Sequence, residues 1–287
     1  MKILKTPLLL ALLFSAAAAH AQVTGNTLQI NDAVTFGLSP DPGSFEWRDN
    51  GIFIAKGISG QGSLLSTDAG SGARFLWHPG KAALRAGIMN LNETNIGTGS
   101  VALGSSTVAS GQNSFATGWG STASGAYAVA IGGTSYGAPY GNMASGEGSA
   151  SVGGFFNIVS GPNSGTFGGW NNIVTGINSF ASGVVNYASA NDSVVFGWVN
   201  RAESSNVFVI GRNNVGGFTN NNNGNPNDDG DTQWIETDPL FEIGNGSGSG
   251  GESGRSNALT VYKNGSAVFQ GVVRVAPGGD IPMYSGN

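Results

Sequence analysis

A glycine recurs along the middle of the chain about every fourteen residues, each time after four small or apolar residues. The successive spacings are 14, 14, 21, 15, 15, 14 and 14 residues. These glycines are Gly104, Gly118, Gly132, Gly153, Gly168, Gly183, Gly197 and Gly211. A unit this short cannot bury its own apolar side chains, so it has to stack on its neighbours. The sequence therefore predicts a solenoid.

A second glycine follows the first after seven or eight residues in several units, which divides each unit into two strands and two turns. These second glycines are Gly111, Gly125, Gly161 and Gly176, with Gly146 displaced by an insertion and with Ala190 and Ser204 in the equivalent later positions. Stacked coils would pair their strands in parallel, about 4.8 Å apart. The predicted fold class is all-β: a parallel β-roll or solenoid of about eight coils of 14–15 residues.

Alternation along the first strand of each unit gives two faces, and neither face is strongly polar. One face carries Val101, Leu103, Val129, Ile131, Phe167, Phe180, Val194, Phe196, Phe208 and Ile210, and the other carries Ala102, Ala116, Ala130, Ser151 and Ala181. A single thin roll buries only one of these faces. We therefore expect the second face to be covered by further copies of the chain in a symmetric homo-oligomer.

Five segments resemble the head repeats of trimeric autotransporter adhesins, the YadA-like family: Ser100–Gly104 (SVALG), Ala109–Gly111 (ASG), Asn113–Gly118 (NSFATG), Ala123–Gly125 (ASG) and Asn178–Gly183 (NSFASG). The resemblance covers roughly residues 95–215. It implies a left-handed parallel β-roll, a homotrimer with three rolls side by side, and binding to a surface protein or glycan of a host or of the environment. The sequence lacks the sustained heptads of a coiled-coil stalk, and we expect no transmembrane anchor in this chain.

The first residues have the pattern of an export signal. Lys2 and Lys5 precede an apolar run from Pro7 to Ala19, which ends in Ala19-His20-Ala21. Residues 1–21 are therefore predicted to be a cleaved signal peptide, and we expect a secreted or cell-surface protein. The protein contains no cysteine, so disulfide bonds cannot stabilise it.

The segment before the repeats, residues 22–95, is predicted to be a β-rich lead-in or cap. Strands are expected near Thr27–Ile30, Phe45–Arg48 and Ile52–Ala55, because Asp49-Asn50-Gly51 is typical of a hairpin turn. Residues 72–87 are rich in cations and aromatics: Arg74, Trp77, His78, Lys81 and Arg85. Two interpretations stay open, a ligand-binding patch and a cap with Trp77 packed beneath the first coil. The cap is favoured, since an end coil otherwise exposes its edge.

The segment after the repeats, residues 216–256, is predicted to be a Gly/Asn/Asp-rich loop or linker, and residues 257–287 a C-terminal β-hairpin cap about Asn264-Gly265, with a further strand at Val272–Val275. The loop contains oxygen donors with the spacing of a calcium loop: Asn225, Asn227, Asp229, Asp231, Gln233 and Glu236. A solvated loop of this composition meets the same pattern by chance. Apart from calcium, no cofactor is expected.

Charge and composition exclude several functions. Without Lys2 and Lys5, ten Lys and Arg face 17 Asp and Glu, so nucleic acid is not expected as a partner. His78 is the one histidine after the signal peptide, and cysteine is missing, so Cys/His catalysis and multi-histidine metal sites are excluded within one chain. The acids between Gly97 and Gly211 are Glu147, Asp192 and Glu203, in different repeats, which speaks against a polysaccharide-processing solenoid.

Aromatic residues follow the repeat glycines at Trp119, Phe155, Trp170 and Trp198. They are candidates for ligand contact by stacking on sugars or apolar partners, or they fill the corners between coils. The expected function is that of a non-enzymatic, exported adhesin acting through a trimeric β-roll. A structural fibre or spike, similar to a phage tail fibre, is the alternative, and a polysaccharide-processing β-solenoid is the weaker one.

Overall fold

The computed structural model describes residues 71–90, 92–133, 141–216, 234–248 and 254–271, together with five short strands between residues 21 and 56. Residues 1–20, within the expected signal peptide, and the strand expected at Val272–Val275 lie outside the described residues. The chain divides into two compact units, Met1–Gly62 and Ser63–Asn287. In the described parts, regular structure consists of strands and two 3₁₀ turns, Pro79–Lys81 and Glu93–Asn95. The predicted all-β class is confirmed.

The first unit contains two small antiparallel sheets. Strands β1 (Ala21–Thr24) and β2 (Thr27–Ile30) pair with each other. Strands β3 (Val34–Gly37), β4 (Ser44–Trp47) and β5 (Phe53–Lys56) form a three-stranded meander. The strands expected near Thr27, Phe45 and Ile52 are thus present to within one residue.

The second unit is a roll made of two sheets whose strands alternate along the chain. Its strands are β6 (Ser71–His78), β7 (Ala83–Asn90), β8 (Val101–Ser105), β9 (Val108–Ala109), β10 (Phe115–Trp119), β11 (Thr122–Ala123), β12 (Val129–Gly132), β13 (Met143–Ala144), β14 (Ala150–Val152), β15 (Ile158–Val159), β16 (Gly165–Phe167), β17 (Ile173–Val174), β18 (Phe180–Val184), β19 (Tyr187–Ala188), β20 (Val194–Trp198), β21 (Arg201–Ala202), β22 (Phe208–Arg212), β23 (Pro239–Asn245), β24 (Asn257–Tyr262) and β25 (Ala267–Phe269).

The even-numbered strands β8 to β22 stack in parallel as the long sheet, and the odd-numbered strands β9 to β21 stack in parallel as the short sheet. Neighbouring strands pair one repeat apart, for example Phe115 with Val101 and Phe180 with Val194. The long sheet continues through β7 and β23, each added in parallel, and ends in antiparallel strands: β6 on one side, β24 and β25 on the other. The predicted parallel β-roll of about eight coils is confirmed.

The repeat glycines are required where each coil turns out of the long sheet. Gly104 and Gly197 have φ of +120° and +123°, in the region that favours glycine. A Cβ at Gly104 would lie 2.0 Å from the carbonyl oxygen of Gly118, and one at Gly197 would lie 1.9 Å from that of Gly211. The close approach of successive coils therefore explains the glycine period.

The interior of the roll is filled by the small-residue face of each strand. The side chains that point inward from the long sheet form the inner column: Arg85, Ala102, Ala116, Ala130, Ser151, Thr166, Ala181, Val195, Val209 and Glu242. Every member is at most 2% exposed. The short sheet contributes Ala109, Ala123, Ala144, Val159, Val174, Ala188 and Ala202, all fully buried. Of the two faces left open by the sequence, the face with the larger side chains thus points outward.

Two parts of the roll have different interiors. The buried apolar cluster of the alanine section, residues 96–133, consists of alanines and extends to Ala144 in the next coil. In the asparagine section, residues 141–216, valines join it, and a buried asparagine precedes each short strand. Asn142, Asn157, Asn172, Asn186 and Asn200 precede the five short strands, where the alanine section has Thr107 and Ser121. Asn214 has the equivalent place in the last coil, where Val215 is not part of a strand.

Segments beside the repeats depart from the sequence expectation in two places. Pro239–Asn245 is a strand within residues 216–256, which were expected to be loop or linker, because Phe241 and Ile243 continue the outward columns of the long sheet. Trp77 does not pack beneath the first coil, since it is 38% exposed on the outer strand of the β6–β7 hairpin. Among the hairpin side chains that the structure describes, those of residues 75–88, the buried ones are His78, Ala83 and Arg85.

Candidate functional site

The outer face of the long sheet carries five phenylalanines on five successive strands, distributed over two adjacent outward columns. This aromatic stripe consists of Phe167, Phe180, Phe196, Phe208 and Phe241, with successive ring centroids 6.0, 5.5, 6.0 and 5.8 Å apart. Phe167 is 62% exposed, Phe208 40% and Phe196 38%. Aromatic pairs at these separations attract one another, but the exposed ring surface still faces solvent. A row of large apolar side chains this exposed indicates a contact surface.

The outer face of the short sheet carries a second apolar row. This short-sheet stripe consists of Met143, Ile158, Ile173 and Tyr187, which pair in register from coil to coil. Met143 is 43% exposed and the others are half-buried, while the next residue of each strand is fully buried inside the roll. Both sheets of one thin roll therefore present apolar side chains to the outside.

The corner aromatics lie where each coil leaves the long sheet. Phe155 and Trp170 are neighbours, with ring centroids 6.4 Å apart. Val184 stands between Trp170 and Trp198 in the same column, and the guanidinium carbon of Arg212 lies 4.2 Å from the Trp198 ring centroid. Trp119 pairs with Ser105 in the alanine section. The structure therefore brings Trp170 near Phe155 but leaves Trp119, Trp170 and Trp198 as separate exposed or half-exposed rings.

The cations of residues 72–87 have structural roles wherever their side chains are described. Lys81 Nζ donates to the carbonyl oxygens of Glu93 and Ile96, both at 2.7 Å, and lies 3.0 Å from Glu93 Oε1. His78 Nδ1 accepts from the Lys81 backbone N–H, and His78 Nε2 lies 3.4 Å from the same Glu93 oxygen. These contacts join the turn of the β6–β7 hairpin to the first coil.

Arg85 ends the inner column on the side of the alanine section. Its guanidinium donates to the carbonyl oxygens of Ser100 (3.0 Å) and Ala109 (2.8 Å) and to Ser100 Oγ (2.7 Å). Burial lowers the pKa of Arg85 to about 10, so the group stays charged at neutral pH. The Ala109 carbonyl belongs to β9, the first strand of the short sheet, so Arg85 covers that edge.

Glu242 and Asn214 end the roll on the other side. Asn214 Oδ1 accepts from the Arg201 N–H and its Nδ2 donates to the Arg201 carbonyl, both at 2.8 Å, so this amide replaces a missing strand beside β21. Glu242 accepts from the side-chain amides of Asn214 and Asn257. Burial raises the pKa of Glu242, and the hydrogen bonds from Asn257, Asn214 and the Gly216 backbone oppose this shift. The inner column thus begins with a buried cation and ends with a buried carboxyl group.

The C-terminal hairpin adds a buried ion pair. Lys263 Nζ lies 3.4 Å from Asp238 Oδ2, and both side chains are fully buried. The Lys263 backbone N–H donates to the Asp238 carbonyl at 2.9 Å, and Lys263 Nζ lies 5.1 Å from the Trp234 ring centroid. This pair fixes the strand end before Pro239 against β24.

Of the expected calcium ligands, Asn225, Asn227, Asp229, Asp231 and Gln233 lie outside the described residues. Glu236 is described and is exposed, and its carbonyl accepts from the Asn264 N–H. In the described parts of the chain, no group of three or more His, Asp or Glu side chains could hold a metal ion. Calcium binding therefore stays a prediction.

The described part of the chain also contains no helix long and apolar enough to cross a bilayer.

Comparison with known protein families agrees with this geometry. The model of the YadA head domain repeat (2 copies) matches residues 96–121, 109–135 and 175–199. These matches fall on the stacked coils and cover both the alanine section and part of the asparagine section. A search of curated proteins returned no match.

Proposed function

Because the model of the YadA head domain repeat matches residues 96–121, 109–135 and 175–199, we propose that this protein is a non-enzymatic, exported, adhesin-like protein that attaches to a surface as a homotrimer of β-rolls. Heads of this type form trimers, and the adhesin family is surface-exposed. The observation that carries the proposal is the presence of apolar stripes on the outer faces of both sheets. Exposure of each stripe to water is unfavourable, because burying one phenylalanine side chain fully lowers the free energy by about 1.5–3 kcal/mol.

A ring of three chains needs two different contact faces on every chain, since each chain meets one neighbour with one face and the other neighbour with the second. The aromatic stripe and the short-sheet stripe supply these two faces. Two coils carry a member of each stripe: Phe167 of β16 is followed by Ile173 of β17, and Phe180 of β18 is followed by Tyr187 of β19. Rotation about an axis parallel to the roll keeps each coil at its own level. Phe180 of one chain would then lie at the same height as Tyr187 of the next chain and could contact it.

Light scattering of the purified chain tests this assembly, and the expected mass is that of three chains. Phe196→Glu should give monomers, because it places a charge in the aromatic stripe. Trp170→Glu is the matched control, since Trp170 is exposed to a similar extent but lies at a corner outside both stripes. A monomeric wild-type protein, or a trimeric Phe196→Glu protein, would contradict assembly through the stripes.

We further propose that attachment uses the corners, which stay outside the stripes after assembly. Trp119, Trp170 and Trp198 then repeat three times around the trimer, and weak contacts to a surface protein or glycan would add up through multivalency. The test is adhesion of the triple variant with serine at these three positions, checked to be trimeric. Loss of adhesion supports the corners, and adhesion equal to wild type removes them from the proposal.

A structural fibre or spike is the second candidate, favoured by the regular stack with both ends of its inner column covered. A wild-type trimer that adheres neither to host matrix proteins nor to glycan-coated surfaces would favour it over attachment. Processing of polysaccharide is not supported, since Glu147, Asp192 and Glu203 lie in different coils. An activity screen on bacterial and host glycans is expected to detect no turnover.

A further inference from the structure

We propose that the C-terminal end of the roll carries a binding site for a neutral, hydroxyl-rich ligand, a single sugar ring. A cavity of about 280 Å³ lies there between the last coil and the β24–β25 hairpin. Its polar lining includes Glu242, Asn257, Thr260, Tyr262 and Gln270. The site lies at one end of the roll, so it is independent of the stripes and of the corner aromatics.

The deep side of the cavity is a fixed polar network. Glu242 is 1% exposed and accepts from the amides of Asn214 and Asn257, and Asn257 Nδ2 also donates to Thr260 Oγ1 at 2.9 Å. Because these side chains orient one another, a ligand does not have to order them on binding. Residues toward the rim, Tyr262 and Gln270, carry groups that both donate and accept hydrogen bonds. Sugar hydroxyls require this combination.

The charge of the lining selects against other ligand classes. Among the described residues, no Lys, Arg or His lines the cavity. Arg255 acts electrostatically on Glu242 but is not a lining residue, so a phosphate or a sugar acid would meet the Glu242 carboxyl without a cation in direct contact. A metal ion is also disfavoured, because Glu242 is the one carboxyl group among the described lining residues and each of its oxygens already accepts an amide N–H. A neutral ligand avoids both costs.

Apolar surface completes the site. Val215, Pro239 and Val268 line the cavity, and Val268 is 50% exposed. The C–H faces of a pyranose ring pack on such side chains, while its hydroxyl groups reach the polar members. Small-ligand sites commonly combine an apolar wall with a few fixed polar groups in this way.

Saturation-transfer NMR of the full chain with the methyl glycosides of glucose, galactose, mannose and N-acetylglucosamine tests the proposal. We expect transfer to at least one glycoside, and an affinity about tenfold lower in Gln270→Ala, since one hydrogen bond is lost. Phe269→Ala is the matched control. Phe269 is 56% exposed and follows the lining residue Val268 in β25, so its side chain points to the opposite face of the strand.

Three results would overturn the site. They are the absence of transfer to every glycoside with folded wild-type protein, equal transfer with wild type and Gln270→Ala, and tighter binding of methyl glucuronide than of the neutral glycosides. Adhesion assays are not part of this test, so its failure leaves the proposed attachment unaffected.

Discussion

The alanine section and the asparagine section share a backbone but differ in what fills it. Both repeat a glycine where the long strand ends, and both pair their strands in parallel one coil apart. In the alanine section the buried cluster is made of methyl groups alone. In the asparagine section, valines enlarge the buried apolar surface and asparagines link successive coils by side-chain hydrogen bonds.

This difference shows that the close approach of coils is fixed by glycine, whereas the chemistry of the interior can vary. Asn186 illustrates the added links: its Oδ1 accepts from the Asn200 N–H at 3.0 Å, and its Nδ2 donates to the carbonyl oxygens of Ser182 and Gly197 at 2.9 and 2.8 Å. Ser121, at the equivalent place in the alanine section, donates only to the Gly132 carbonyl, at 2.9 Å. We expect the asparagine section to be the more stable of the two.

The largest expected effect comes from a feature that the sections share. Gly104→Ala and Gly197→Ala should each lower the free energy of unfolding by about 3 kcal/mol or more, because the new Cβ meets a backbone oxygen within about 2 Å at a positive φ. Urea denaturation measures the change. Gly168→Ala is the control, since its Cβ would meet nothing within 4 Å, and it should cost only about 1–2 kcal/mol for its φ of +64°.

If only one of Gly104→Ala and Gly197→Ala lowers the free energy of unfolding strongly, the two sections differ in backbone spacing as well as in their interior.

The buried asparagines of the asparagine section should give the next largest loss of stability when they are substituted. Asn186→Ala leaves the buried Asn200 N–H and the Gly197 carbonyl without this partner, so we expect a loss of about 2–3 kcal/mol. Ser121→Ala removes one bond and should cost about 1 kcal/mol. Hydrogen exchange read coil by coil distinguishes a local from a global effect. If the two variants lose the same free energy of unfolding, the buried asparagines add no stability to the asparagine section.

Substitution of inner-column residues tests whether the space between the two sheets is narrower in the alanine section than in the asparagine section. Ala116 and Val195 occupy equivalent positions and are both fully buried. Val195→Ala should cost about 2 kcal/mol through lost burial and a cavity. Ala116→Val should cost about 1–2 kcal/mol through overpacking, measured by thermal unfolding. A neutral or stabilising Ala116→Val would show that both sections have the same inner width.

The smallest expected effect is a pH dependence of stability that arises at the Glu242 end of the inner column and not at the Arg85 end. Burial raises the pKa of Glu242 above its ordinary value of 4.5, so its contribution to stability is complete below about pH 4.5 and is lost as the pH rises through the raised value. Arg85, with a pKa of about 10, does not titrate in that window. Melting temperatures from pH 4 to 8 should therefore fall with rising pH, and Glu242→Gln should flatten the slope. An unchanged slope in that variant would assign the dependence to other groups.

Much of the fold could be predicted because glycine spacing and strand alternation are local properties of the chain. The fourteen-residue interval identified the coils, and Asn264-Gly265 marked the turn of the C-terminal hairpin. Strand β23 was not predicted because it lies within a segment rich in Gly, Asn and Asp, and because it is defined by its pairing with β22 and β24 rather than by a local pattern. The roles of Arg85 and Glu242 were missed for a related reason: they are 157 residues apart in the chain, and no local pattern places both in one column.

The candidate site was predictable in part. Trp119, Trp170 and Trp198 were recognised as corner residues by their place after glycine, but whether they touch one another depends on Val184, which takes its position between two of them only in the stack. Four of the five phenylalanines of the aromatic stripe were visible as one face of the alternating strands, whereas Phe241 lies in β23, which was not expected. The exposure of the stripe could not be read from the sequence, since either face could have pointed inward.

The sequence by itself determined the repeat length, the two-strand coil and the existence of two non-polar faces, because these follow from spacing and alternation along one strand. Only the tertiary structure decided which face lies inside. With two sheets so close together, the space between them accepts alanine, serine, threonine and valine, and the phenylalanines are therefore turned outward. The same closeness makes the ends of the inner column the places where a charged Arg85 and a buried Glu242 meet the last backbone and amide groups.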